Sequence, residues 1–180
     1  MSDIKAVPVD GFNGSPMVPT GDPMVDGVGP AAWAARADVP DLTAYGEAKI
    51  VPMRVAPGYS VAAGDPDPRG LPVKACDGNV AGTIVDIWVD RSEPQVRYYE
   101  VELAAGGAHK LLPAPYVQWP HFGLWGNDHV IVKAITAAQF ANVPTTKRDD
   151  RITLLEEDRI MAYYAGGHLY ADAARAEPWI

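Results

Sequence analysis

The sequence predicts a mainly β fold: a small antiparallel barrel or sandwich, preceded by an extended Pro/Gly-rich arm and followed by one α-helix. Three observations carry the prediction. Residues 1–48 are rich in proline and glycine, among them Pro8, Pro16, Pro19, Pro23, Pro30 and Pro40. From about Lys49 the hydropathy alternates with period two, as half-buried strands require. After Thr153 the period lengthens to that of a helix, behind a recognisable N-terminal cap.

Proline fixes φ and lacks an N–H, so the arm holds no long helix or central strand and is expected to run extended along a surface. In the next segment Val85, Ile87 and Val89 share one strand face, and Asp86, Trp88 and Asp90 share the other. From Val96, residues Tyr99, Val101 and Leu103 oppose Tyr98, Glu100 and Glu102 in the same way. Asp77-Gly78 and Gly106-Gly107 supply the positive-φ residues that tight hairpins need. A further strand is expected from His129 to Ile135, where Val130, Val132 and Ala134 alternate with Ile131, Lys133 and Ile135. Short strands joined by tight turns fit a closed barrel or two packed sheets.

In the helix, Thr153 and Glu156 have capping-box spacing, and Glu156, Glu157 and Asp158 complement the dipole of the first turn. Ile160, Tyr163 and Tyr164 then stack at i, i+3, i+4. Ala165-Gly166-Gly167 either ends the helix or admits another backbone at close range. The tail to Ile180 is expected to be frayed or held by a partner.

Composition bounds the function. A chain of 180 residues fits one domain with extensions and can bury a real core. A net charge of −8 lacks the basic stripe of a nucleic-acid binder and disfavours direct docking on anionic lipid. The single Cys76 excludes an intramolecular disulfide and a multi-cysteine metal site. No apolar run reaches the roughly 18 residues of a membrane helix, and no signal segment follows Met1.

No catalytic signature is present: no nucleophile elbow, zinc helix or phosphate loop, so an enzyme is not expected. Asp77 beside Cys76 would raise a thiol pKa, which favours a structural thiol over a nucleophile. His109, His121, His129 and His168 are too dispersed to forecast a metal centre, and a surface or packing role fits each. Trp88, Trp119, Trp125, Tyr98 and Tyr99 lack basic neighbours and read as core and interface. The aromatic run Trp119-Pro120-His121-Phe122-Gly123-Leu124-Trp125 marks an interface with partner proteins or a membrane surface. The acidic group is more informative. Asp86, Asp90 and Glu93 run along the end of a strand into its hairpin turn, where Asp90 and Glu93 come within reach of Arg97. They form either a solvated surface ion pair or a partly buried carboxylate cluster able to share protons.

A scattered, ordered set of words narrows the choice. These are Lys49-Ile50-x-Pro52-Met53, Gly70-Leu71-Pro72-Val73, Cys76-Asp77, Ala81-Gly82-x-x-Val85-Asp86-Ile87-Trp88-Val89-Asp90, Leu111-Leu112-Pro113, Thr153-Leu154-Leu155-Glu156-Glu157-Asp158, Ala165-Gly166-Gly167 and Tyr170-Ala171. The arm adds Pro19-Thr20-Gly21-Asp22-Pro23-Met24 and Asp26-Gly27-Val28-Gly29-Pro30-Ala31. Together they resemble the H subunit of the purple-bacterial photosynthetic reaction centre, whose globular part is a PRC-barrel. The resemblance covers about residues 19–171 and favours barrel over sandwich. It implies an arm at 1–48 ordered against partner subunits, a PRC-barrel at 49–145 and a capped helix with tail at 146–180.

It further implies a lid on the cytoplasmic face of the L and M subunits, supporting proton delivery to a secondary quinone. Bacteriochlorophyll, bacteriopheophytin, quinones and non-haem iron would lie in the partners, with none bound by this chain and no nucleic acid involved. Glu93 matches a proton-network glutamate, and Arg97 the arginine four residues on. Asp90, Lys49 and Asp41 match further polar positions of that network. Some relatives carry an Asp-x-His-x-His proton-entry and metal cluster where Thr43-Ala44-Tyr45-Gly46-Glu47 stands here, so entry is expected elsewhere, as at Glu47, without metal. The usual N-terminal membrane helix is missing. That anchor is expected either to be a separate polypeptide or to be truncated from this one, with light-harvesting antenna proteins as further neighbours. The alternatives are a soluble PRC-barrel binding module of ribosome-maturation type, which would lack the arm and the Thr-Leu-Leu-Glu-Glu-Asp helix, and a small hydrolase or metal enzyme. Travel with pigmented membranes or with small ribosomal subunits distinguishes the first two.

Overall fold

The computed structural model describes residues 4–121 and 127–175. Prolines keep the arm's elements short, as expected, though the arm is not merely extended. Strands β1 (Ala6–Pro8) and β2 (Met17–Pro19) pair as a small antiparallel ribbon. A one-turn helix α1 (Pro23–Asp26) follows, with proline in its first turn. Asp22 Oδ1 accepts from the Met24 and Val25 N–H groups at 3.0 and 3.4 Å, and the turn stops at Gly27 with φ +70°. A 3-10 turn, Gly29–Ala31, brings Ala31 to zero exposure.

The barrel region comprises β3 (Ile50–Pro52), β4 (Pro72–Lys74), β5 (Val80–Asp90), β6 (Gln95–Leu103), β7 (His109–Pro113), β8 (Val117–Gln118) and β9 (Val130–Val132). Hydrogen-bonded neighbours run β7-β6-β5-β4-β9-β8, with β3 also pairing β5. The long β5 is the axis: β6 runs along one edge, and β3 and β4 divide the other. Gly78, Gly106 and Gly107 all take the positive φ foreseen for the hairpins. Two features differ from the sequence reading. The β4–β9 pair is parallel in an otherwise antiparallel sheet, and β9 is only three residues long because the chain turns after Val132.

Register shifts near Asp86 and between Trp88 and Val89 break the strict alternation of β5. All of residues 86–90 are consequently buried, acidic face included. Lys49, Arg54 and the first turn of the C-terminal helix supply the polar partners on that face.

That helix, α2 (Leu154–Tyr170), begins with both bonds of the capping box. Thr153 Oγ1 accepts from the Glu156 N–H at 3.2 Å, and Glu156 Oε2 accepts from the Thr153 N–H at 2.9 Å. Ile160, Tyr163 and Tyr164 are buried together with the strands and Met24 of the arm in one apolar cluster. The Gly166-Gly167 pair lies inside the helix, not at its end. Its missing side chains admit Ala31 of the arm and the Ala134 carbonyl. Beyond the helix, Arg175 donates to the carbonyls of Lys133, Ala134 and Gly167, each at 2.8 Å. The last residues of the tail, and most of the aromatic Trp119–Trp125 loop, lie outside the described residues. Trp119 itself packs edge-on to Tyr99, with ring centroids 6.2 Å apart.

Candidate functional site

The β5–β6 hairpin builds the first polar centre. Asp90 ends β5 at zero exposure, and its Oδ1 accepts from the Ser92 and Glu93 N–H groups at 2.9 and 3.1 Å, which sets the turn. Its other oxygen, Oδ2, accepts no hydrogen bond from the described residues. Two cations instead flank it, Lys49 Nζ and Arg97 Nη1, each at 3.6 Å. A buried acceptor left open in this way costs about 1–3 kcal/mol, a cost that folding stability alone does not explain.

The cluster extends in both directions. Lys49 Nζ lies 3.7 Å from Asp41 Oδ2, whose side chain is half exposed. Arg97 Nη2 lies 3.6 Å from Glu157 Oε2, in the first turn of α2. Glu157 also accepts from the Tyr98 hydroxyl at 3.4 Å. Burial raises the Glu157 carboxyl above the ordinary carboxylate range, only partly opposed by Arg97 and Arg36. Burial, then the nearby Glu157 charge, raises the Tyr98 hydroxyl far more strongly.

Four of the five residues singled out from the sequence therefore meet: Asp41, Lys49, Asp90 and Arg97. Glu93 stands apart. Its backbone N–H is tied to Asp90, but its side chain is exposed and meets only the Gln95 amide, at 3.5 Å. Glu47 pairs with Arg91 at 3.2 Å, on the rim of a neighbouring cavity of about 580 Å³ that also borders Thr43 and Tyr45. Glu157 was legible only as a dipole-complementing residue. Nothing local in the chain signals that it faces Arg97.

Asp86 belongs to a second centre that the sequence did not reveal. The register sets Asp86 opposite Glu100, a like-charge pair that would repel unless bridged. Arg54 Nη1 bridges it, at 3.0 Å to Asp86 Oδ2 and 2.6 Å to Glu100 Oε2. Glu100 also accepts from the Trp88 indole N–H at 2.8 Å and meets His109 Nδ1 at 2.6 Å. Burial works to raise the Glu100 carboxyl, but the bonds from His109, Arg54 and Trp88 outweigh it and hold it below the ordinary range.

A carboxyl with a depressed folded-state pKa contributes stability above its unfolded pKa and loses it as pH falls through the folded one. Chemical denaturation across about pH 7 to 3, an interval bracketing ordinary carboxylates, should therefore show wild-type stability declining with acid. Glu100→Gln should be less stable at neutral pH and flatter across that range; an unchanged slope would remove Glu100 from the acid response.

Cys76 is half-buried and unpaired, and no group of three or more metal-ligating side chains occurs among the described residues. Among those residues no helix is long and apolar enough to cross a membrane.

The mainly β fold is that of a PRC-barrel protein: residues 61–139 match the family described as PRC-barrel domain. Residues 1–55 match a second family, described as photosynthetic reaction centre, H-chain N-terminal region. Arm and barrel together make the chain an H-subunit-like protein of the photosynthetic reaction centre. Association with reaction-centre partner subunits follows from that membership.

Proposed function

We propose that this chain caps the cytoplasmic side of the L and M subunits, stabilises that complex, and carries protons toward a secondary quinone during light-driven electron transfer. One observation supports the reading above the others. A wholly buried carboxylate, Asp90, keeps one oxygen open between Lys49 and Arg97, in a line from half-exposed Asp41 to partly buried Glu157. Carboxyls are the carriers in such a line, while the two cations offset the charge left behind as each proton enters and leaves. Glu157, with its raised pKa, is suited to hold a proton nearer neutrality than an ordinary glutamate does. Glu93, exposed at the turn and tethered through its N–H to Asp90, would face a partner and hand the proton on.

In this reading the chain is a structural and proton-conducting subunit, not an enzyme, and binds no cofactor itself. Bacteriochlorophyll, bacteriopheophytin, quinones and non-haem iron belong to its partners. It sits on the cytoplasmic face of the photosynthetic membrane, held through L and M, with antenna proteins nearby. The ribosome-maturation alternative gains nothing from the arm, which matches an H-chain region.

The decisive experiment is affinity capture of the tagged chain from its own cells. L, M and bacteriochlorophyll should come with it in the membrane fraction; a pigment-free cytosolic chain would overturn the assignment. In the captured complex, Glu93→Gln should leave assembly intact and slow the proton-coupled second electron transfer to the secondary quinone. Unchanged flash-induced kinetics would take Glu93 out of the pathway.

A further inference from the structure

The second polar centre opens on a cavity of about 480 Å³ whose walls include Trp88, Leu111, Arg54, His109 and Lys110. Two of its three carboxylates, Glu100 and Asp86, are already satisfied, and the third, Asp149, is exposed at its edge. Glu100 meets three nitrogens, and Asp86 accepts from Arg54 and from the Ile87 N–H at 2.8 Å. Arg54 is fully engaged as well, its second terminal nitrogen donating to the Asp149 carbonyl.

Lys110 is different. It is 8% exposed, yet no carboxylate lies within ion-pair distance of its ammonium among the described residues. Among the described residues its one acceptor is a neutral carbonyl, Val143 O, at 2.5 Å, which leaves two N–H donors without partners there. Desolvation alone accounts for the lowering of its pKa, as expected of a buried cation with no counter-charge. Thr145 and Thr146, also on the cavity, have hydroxyls without side-chain partners among the described residues, and only Nδ1 of His109 is engaged by Glu100. An adjoining cavity of about 460 Å³ shares His109, Thr145 and Thr146 and adds Lys147 and Arg148. Of the basic residues bordering these two cavities, Arg54, Arg69, Lys147 and Arg148 are each paired with a carboxylate, so Lys110 is the cation left without one among the described residues.

We propose that this cavity is an anion-binding site for a phosphate-class group, with the Lys110 ammonium as its buried counter-charge and Thr145 and Thr146 as neutral donors at the mouth. A tetrahedral oxyanion suits donors that converge from several directions, and it would supply the negative charge that Lys110 lacks. The group would come either from a small soluble phosphate compound or from a phospholipid headgroup. The site is separate from the Asp90 cluster and does not depend on proton delivery.

The test titrates inorganic phosphate into the full-length chain, followed by calorimetry and by amide chemical shifts. Saturable binding with shifts at residues 109–111 and 143–149 is expected. Lys110→Met, which keeps the hydrocarbon stem, should weaken binding at least tenfold. Because that change also removes the link to Val143, the double variant Thr145→Val/Thr146→Val provides an independent reading and should weaken binding severalfold with the fold intact. Vesicles of phosphatidylcholine with and without phosphatidic acid separate the sources. Lys110-dependent capture by the acidic vesicles indicates a headgroup, whereas phosphate binding without vesicle capture indicates a soluble compound. Absence of saturable binding to both probes, or binding indifferent to both variants, overturns the proposal.

Discussion

Asp90→Asn in the assembled complex is expected to slow the proton-coupled second reduction of the quinone by about a hundredfold, the lower end of what a positioned proton-transfer group contributes. The substitution is conservative in shape. Asparagine keeps an oxygen to accept from the Ser92 and Glu93 N–H groups, so the turn survives. What disappears is the single negative charge between Lys49 and Arg97, and with it the carboxyl that can take up and release a proton. Flash-induced kinetics should show the first electron transfer unaltered and the second, proton-dependent one retarded. Equal rates for wild type and variant would sink the role given to this cluster.

The same variant has a bounded cost in stability. Removing one partner from a wholly buried ion pair costs roughly 3–5 kcal/mol. Here the cations are 23% and 38% exposed, so water screens the charges left behind, and about 1–2 kcal/mol is the expected loss. Asp90→Leu should lose more, since the two turn N–H groups then go unsatisfied as well. Urea midpoints that rank wild type, Asn, Leu in falling order would separate the charge from the cap. A kinetic defect in Asp90→Asn that far exceeds its stability defect identifies a transfer role as distinct from a scaffolding one.

How much of this was readable in advance follows from the range of each interaction. The β5–β6 hairpin, its turn and the pairing of Asp90 with Arg97 are local, and alternation plus turn chemistry were enough to place them. The capping box of α2 is local too, and both of its bonds form. Lys49 and Asp41 were accessible only through resemblance, because their approach to Asp90 depends on β3 lying antiparallel to the far end of β5. Glu157 reaches Arg97 by the docking of a helix that follows the whole barrel, and no spacing rule encodes that. Asp86 went to the wrong neighbours for a related reason. Its strand carries register shifts on both sides, which turn it toward Arg54 and Glu100 and away from the hairpin tip. Bulges of this kind have no dependable signal in a single sequence, and neither does the parallel pairing of β4 with β9.

Gly167→Val should be the most destabilising single change in α2, at about 3 kcal/mol, the upper end of measured overpacking costs. Intrinsic helix preference points the other way, since glycine inside a helix is worse than alanine by about 1 kcal/mol. Geometry decides the sign. A Cβ at Gly167 would lie 2.4 Å from the Ala134 carbonyl oxygen and 2.5 Å from Ile135 Cγ2, and the closer neighbour is backbone held at zero to one per cent exposure. Backbone of that kind cannot step aside without disturbing the carbonyls of Ala134 and Gly167 that Arg175 binds. For a chain of this length the loss corresponds to a fall in Tm of about 10 °C. Gly166 offers the internal comparison, because its virtual Cβ meets a side chain first, Ala31 Cβ at 2.5 Å. Gly166→Ala should therefore displace the arm and leave the barrel folded. Limited proteolysis should then cut residues 1–48 faster in that variant while the thermal transition of the rest moves little. If Gly167→Val melts with the wild type, the close approach of α2 to residues 134–135 is not what holds the helix in place.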